Sequence, residues 1–301
     1  MNRSERGFAL ILVVWSLVLL ASLATGFSLA VRHQTRLAAD LSAVARAEAA
    51  ATAALHTAML AVAATGGEAR WRADGREHEI PWPDAKITVR VQSESGRIDI
   101  NTAPPELLSG LFTRLFPTSD SAALTDALLD WRDHDDHPRD NGAEDRAYKE
   151  AGYAYGPSNT PFYSVNELSQ VMGFDGEKLE ALQPHLTVHS RRPRINAASA
   201  DLVVLSSIPG IDAATAEAFI EHREEALAGD GEIDYSLLRS GRRFLDRRRD
   251  NRLFALDIEV RLDDGLTRRE HAVLRLDRRR GYTLLARETR PLDRTQAGNI
   301  R

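Results

Sequence analysis

Acidic side chains crowd a turn-rich stretch in the middle of the chain: Asp133, Asp135, Asp136, Asp140, Glu144, Asp145 and, further on, Glu167. Pro138 and Gly142 interrupt any regular element there. Carboxylates packed this closely repel one another unless water, protons or a cation intervene. A hard cation that takes six to eight oxygen ligands suits such a loop, and Ca²⁺ is the cofactor this chemistry points to. The spacing is not that of a helix–loop–helix calcium hand, because its acid-x-acid-x-acid-Gly frame and terminal Glu are absent. A solvated acidic loop is the second reading. A transition-metal site on His134 and His137 is the third, and no further His is placed to complete a tetrahedral set.

No other constellation carries reaction chemistry. With no cysteine among 301 residues, thiol catalysis and Cys-ligated metals are excluded. Gly-x-Ser-x-Gly, phosphate-loop and dinucleotide fingerprints are missing, so the chain reads as a non-enzyme. A metal-dependent nuclease on the Asp133–Asp145 carboxylates is the one enzymatic idea left. The acidic segment lies between two related stretches. One begins Asn101-Thr102-Ala103 and the other Asn196-Ala197-Ala198, and each closes on an arginine, at Arg132 and Arg223. The second contains Ile208-Pro209-Gly210-Ile211 and resembles a helix-hairpin-helix, a motif whose backbone N–H groups hold phosphate in its DNA-binding versions. Here Asp212 replaces the second hairpin glycine, and residues 96–225 carry 11 basic against 22 acidic side chains. DNA affinity rests on neutralising phosphates, so no nucleic-acid partner is expected.

The elements around this region follow from hydropathy. Between Gly7 and Val31 there is no charged residue. As a helix, Phe8–Val31 spans ~36 Å, enough to cross a hydrocarbon core of ~30 Å. That run is longer than a cleaved signal needs, although Ser28-Leu29-Ala30 offers a small-x-small site; Arg3 and Arg6 also suit a plain signal anchor. The helical pattern continues through residues 32–66 as a stem, with Leu37, Leu41, Val44, Ala45, Leu55, Met59 and Val62 at helical spacing and Gly66-Gly67 as its stop. Strand-like alternation appears over 85–100 and again from Phe254 to Leu262, around Ala272–Leu276 and over Tyr282–Thr289. The fold class is α+β: a long N-terminal helix on an antiparallel sheet built from 67–101 and 249–290. A mostly helical domain (102–248) is inserted in that sheet. It holds two helix-hairpin-helix or SAM-like repeats, about 101–132 and 196–223, joined by the acidic connector 133–173, and a tail follows at 291–301. Residues 239–301 hold 18 arginines and 10 acids, with Arg239–Arg252 and Arg278–Arg280 as the dense stretches. They read as a solvated sheet edge or a dock for an acidic partner.

The boundary Met1–Gly7/Phe8 resembles the class III leader of type IV pilins and pseudopilins. The resemblance implies cleavage between Gly7 and Phe8 by prepilin peptidase and N-methylation of Phe8. Most members carry Glu at the fifth mature position, which here is Leu12. Its absence is a habit of the K-type minor pseudopilins of type II secretion, whose tip position leaves no neighbouring amine to neutralise. The connector resembles the same family in Pro138-Arg139, Gly142–Asp145, Tyr153, Tyr155, Pro157–Phe162 and Val165–Leu168. What the resemblance implies is a pseudopilus-tip subunit that supports protein export without turnover and binds calcium in its large helical domain. It would be held in the bacterial inner membrane with its N-terminus cytoplasmic and its bulk periplasmic. Its partners would be the I-, J- and H-type minor pseudopilins. A membrane-anchored helix-hairpin-helix DNA-binding protein and a generic single-pass periplasmic scaffold are the alternatives.

Overall fold

The computed structural model describes residues 3–64, 70–228, 231–246, 252–277, 281–290 and 292–294. Helix α1 (Arg3–Ala63) is continuous over 61 residues, about 90 Å at 1.5 Å per residue. Proline is absent from it, and alanine dominates its C-terminal half, so nothing breaks the hydrogen-bond ladder. Gly7, Phe8 and Leu12 fall on its first turns. The expected stop at Gly66-Gly67 lies outside the described residues. Val13, Trp15, Leu17, Leu20, Leu23 and Phe27 are all exposed. The segment beginning at Val13 is the one described helix long and apolar enough to cross a membrane.

The other half of α1 lies on a sheet. Ala43, Ala47, Ala50, Ala51, Ala54 and Ala58 are buried against Ile87, Val89, Leu256, Ile258 and Ala272. Small side chains bring the helix close to the strands, so the alanine stripe carries the packing. Leu37 and Leu41, by contrast, are exposed, because the helix reaches the sheet only from Ala43 onward.

The sheet is antiparallel, formed by β1 (Asp74–Trp82), β2 (Ala85–Ser93), β7 (Leu253–Leu262), β8 (Leu266–Asp277), β9 (Gly281–Thr289) and β10 (Asp293–Arg294). Its order is β1-β2-β7-β8, with β9 and β10 both on the outer side of β8. Strand β1 was not distinguished in the sequence, because Asp74, Arg76, Glu77 and Glu79 obscure its period. It is an edge strand, where Pro81 and charge are tolerated.

One end of this sheet points toward the apolar half of α1. Arg46 pairs there with Asp84 in the β1–β2 turn (2.5 Å) and Asp264 in the β7–β8 turn (2.9 Å). The chain leaves for the insert from the opposite end, where Ser93 faces Phe254 in register. The insert therefore sits at the end of the sheet remote from the apolar half of α1.

Its elements are β3 (Ile98–Asp99), α2 (Pro105–Leu115), α3 (Ser121–Arg132), α4 (Asp145–Glu150), α5 (Gly176–Leu182), β4 (Leu186–Thr187), β5 (Ile195–Asn196), α6 (Leu202–Ser206), α7 (Ala213–Ala228) and β6 (Leu245–Asp246). Ile98–Asp99, assigned by alternation to the main sheet, pairs instead with Leu186–Thr187 inside the insert. Its core, from Ile98 and Leu107 to Phe219 and Leu245, is separate from the one under α1.

The two related stretches share a set of turn and arginine contacts, in a register shifted by two residues from the match by residue identity. Asn196 Oδ1 accepts from Ala198 N (3.0 Å), and its carbonyl accepts from Ser199 and Ala200 N. The residue that does the same in the first copy is Asp99, which accepts from Asn101 N (2.9 Å) and from Thr102 and Ala103 N. Arg132 then bonds the carbonyls of Ile100 and Ala103, as Arg223 bonds those of Ala197 and Ala200. Each copy also closes on a parallel two-residue strand pair, β3–β4 and β5–β6. The copies meet where α2 crosses the end of α6. A Cβ on Gly110 would overlap the Ser207 carbonyl, so Gly110→Ala should cost about 1–3 kcal/mol. Chemical denaturation of the variant measures it, and an unchanged midpoint would contradict this crossing.

Candidate cation site

Helix α3 ends at Arg132, and the acidic segment starts directly after it. Asp130, the last acid on α3, is fully buried. It accepts from Arg139 N (3.2 Å) and pairs with Arg139 Nε (3.2 Å), folding the Pro138-Arg139 turn back onto the helix. Burial pushes its carboxyl above the usual range. Arg139 also binds Asp133 through Oδ2 (2.9 Å). Gly142 is required here, since a Cβ would collide with Asp130.

Four buried oxygens in this region have no hydrogen-bond donor: Asp133 Oδ1, both oxygens of Glu144, and Asn159 Oδ1. Glu144 is 6% exposed. Burial pushes its carboxyl up to about 7, and the charges of Asp130, Asp133, Asp136 and Asp135 add to the rise. Such a carboxylate is costly unless something positive reaches it. Asn159 is held in a left-handed conformation (φ 51°). Its N–H donates to Trp131 O (3.0 Å), its amide nitrogen to Asp136 Oδ1 (2.9 Å), and its carbonyl lies 2.9 Å from His134 Nδ1.

The structure thus groups Asp133, Asp136 and Glu144 electrostatically and places beside Asp136 the uncharged Asn159, whose Oδ1 is also without a donor. Its signal was the Pro-x-Asn-x-Pro-Phe run. Asp135 accepts from the backbone N–H of His137 (3.0 Å), which holds its carboxyl below the usual range. Asp140 is exposed, Asp145 pairs with Lys149, and Glu167 is committed elsewhere: its Oε1 accepts from Tyr163 N (3.0 Å) and Ser164 N (3.1 Å) in a capping box. Asn101 holds Phe162 with both amide atoms, at 2.8 Å each. Ala103 and Ala198 are packing and turn positions. Pro209-Gly210 forms the turn before α7, where Gly210 takes φ +87° and accepts from Ser240. Asp212 donates no positive charge there; it caps Thr215 N (2.8 Å). The dense arginines at 247–249 and 278–280 lie outside the described residues. Among the described residues, no three His, Asp or Glu side chains already converge as a ligand set. The grouping is a fold of unsatisfied oxygen, with an aromatic floor of Trp131, Tyr148, Tyr155 and Phe162.

Residues 91–191, which contain this whole arrangement, match the family described as type II secretion system (T2SS), protein K. Relatives of the same description include one from Klebsiella pneumoniae, 30% identical over 206 residues, covering 62% of this chain and 63% of that protein. Another, from Pseudomonas aeruginosa, is 28% identical over 150 residues, covering 46% of this chain and 44% of its own. The alignments thus span less than two thirds of these relatives. A chain in the crystal structure of the GspK-GspI-GspJ complex from the enterotoxigenic Escherichia coli Type 2 Secretion System has a TM-score of 0.59. It is 17% identical and covers 86% of this chain and 99% of its own, so the two share a fold. The matched residues run from the last residues of β2 through β4, and the remainder of the insert, with α6 and α7, lies beyond them.

Proposed function

We propose that this protein is a minor pseudopilin of type II secretion that caps the tip of a pseudopilus and supports export by assembly, without turnover. The observation that carries this reading is the placement of a bulky, separately cored insert at the end of the sheet remote from the exposed apolar half of α1. With that half in the inner membrane, the insert is the outermost part of the subunit, and nothing can stack on it. Arg3 and Arg6 favour a cytoplasmic N-terminus, with sheet and insert in the periplasm. Prepilin peptidase then cuts between Gly7 and Phe8, and Leu12 leaves no carboxylate without a partner in the lipid. Other minor pseudopilins, of the I-, J- and H-types, pack along the stem. Mass spectrometry of the membrane-extracted N-terminus should find methylated Phe8, and Gly7→Val should leave the precursor. Co-purification with I- and J-type subunits should survive in the mature protein. An intact Met1 in a secreting cell would sink the pseudopilin reading.

The same domain takes calcium in this proposal. Glu144, Asp133, Asn159 and Asp136 supply oxygen, the donor type this ion prefers, and the ion would satisfy the four acceptors that have no donor. Its role is to hold the acidic turn closed. A solvated acidic loop accounts less well for a carboxylate buried as deeply as Glu144.

A further inference from the structure

We infer that cation occupancy of the acidic turn sets how the insert is clasped to the sheet. This rests on the calcium reading above and concerns what the ion controls. The insert and the sheet have separate apolar cores, and between them lies a cleft of about 610 Å³ lined by charged and polar side chains such as Arg90, His189 and Asp257 and by apolar ones such as Leu186, Ile258 and Val273. Where the chain crosses over, Glu94 and Arg97 pair at 2.9 Å while buried, and Thr187 donates to Glu94, which makes a firm pivot. On the far side of the cleft the contact is a polar clasp. Asn166 Nδ2 donates to Glu288 Oε2 on β9 (3.0 Å), and Ser164 Oγ to Oε1 (3.4 Å). Gln183 donates to Asn166 Oδ1 (2.7 Å) and accepts from Arg290 (3.1 Å).

A short run of chain joins that clasp to the cation site. Asn159, which offers a bare oxygen to the ion, lies three residues before Phe162. Phe162 is stacked on Trp131 (centroids 6.3 Å, 20°) and gripped at both backbone groups by Asn101. Two residues later the capping box of Ser164 and Glu167 presents Asn166 to Glu288. Between the ion and the clasp, the backbone is thus held by named partners at Asn159, Phe162, Tyr163, Ser164 and Asn166. With the ion absent, repulsion among Asp133, Asp136 and Glu144 acts on Asn159 and loosens this run. Occupied, the site holds the clasp shut and the insert at one tilt.

The chain has no cysteine, so Glu177→Cys on α5 and Thr283→Cys on β9 provide two unique spin-label sites in the full chain in detergent. The label–label distance distribution should be narrow with calcium and broaden with chelator. By reciprocity of coupling, Glu288→Ala and the charge-neutral Asn166→Ala should each raise the calcium Kd by about fivefold or more. Both should also keep the distribution broad in calcium. Calorimetry that shows calcium binding while the distribution ignores it, or an unchanged Kd in both variants, would overturn the coupling and leave the site standing. No heat of binding at all would overturn the site and the coupling together.

Discussion

Calcium added to chelator-treated protein at pH 8 should raise the melting temperature of the insert by roughly 5–11 °C. At a hundredfold excess over Kd, binding to the native state alone contributes about 2.7 kcal/mol, and 1 kcal/mol shifts a domain of this size by about 2–4 °C. The pH dependence gives the result its sign. Burial and neighbouring carboxylates raise the Glu144 carboxyl from 4.5 to about 7 in the folded protein. Without metal, the folded state therefore holds that proton more tightly than the unfolded one. The stability this supplies is fully present below pH 4.5 and is lost as pH rises through 7, on the order of 3 kcal/mol. Calcium needs the ionised carboxylate, so its effect should be small at pH 5 and grow toward pH 8. Glu144→Gln separates the two contributions. It should flatten the metal-free pH profile and abolish the calcium response. Melting curves that match with calcium and with chelator at pH 8 would count against a structural ion.

The second large effect concerns the paired arginines. Arg132 and Arg223 are half-buried, and desolvation lowers the Arg132 guanidinium to about 10 and Arg223 in the same direction. Each is held by two backbone carbonyls at the start of its own repeat. Removing either leaves buried acceptors unpaired, at about 1–3 kcal/mol per group. Arg132→Ala and Arg223→Ala should therefore each destabilise the domain by about 2–4 kcal/mol, in similar amounts because the two positions are equivalent. Lysine has a single ammonium that does not span both carbonyls, so Arg→Lys at either position should recover only part of the loss. Denaturant titration of the four variants decides it. A loss below about 0.5 kcal/mol at either site would mean that the repeat is not held together by these contacts.

Much of this architecture was legible because its signals are periodic. The uncharged run, the alternation in β2 and β7, and the shift to helical pattern between them each report one face against one environment. Strand β1 escaped because an edge strand with Pro81 and alternating charge has little apolar face to reveal it. The two-residue strands of the insert are too short to carry a period at all. The repeat was visible but misaligned, and the reason is chemical. An Asp and an Asn oxygen accept the same turn hydrogen bond, so Asp99 is the counterpart of Asn196, while a match by identity selects Asn101. At the site, clustering of acids located the loop and could not sort its members. Glu144 and Asp145 are adjacent in sequence, yet one is buried without a donor and the other pairs with Lys149 at the surface. Which face of a turn a side chain takes is decided by how the turn is folded, and here Asp130 on α3 folds it back through Arg139.

The facing of Ser93 and Phe254 has a consequence for how such a molecule changes over time. The segment between them begins and ends on adjacent strands, at a pair whose Cα atoms are about 5 Å apart. A tight hairpin would bridge that gap without altering the register of either strand. To the helix-backed sheet, the whole head is a loop of arbitrary length, and lengthening a loop costs little once its ends are fixed. Heads of different size and surface can therefore be exchanged on one helix-backed sheet, which lets the inserted part diversify while the part that carries it stays the same.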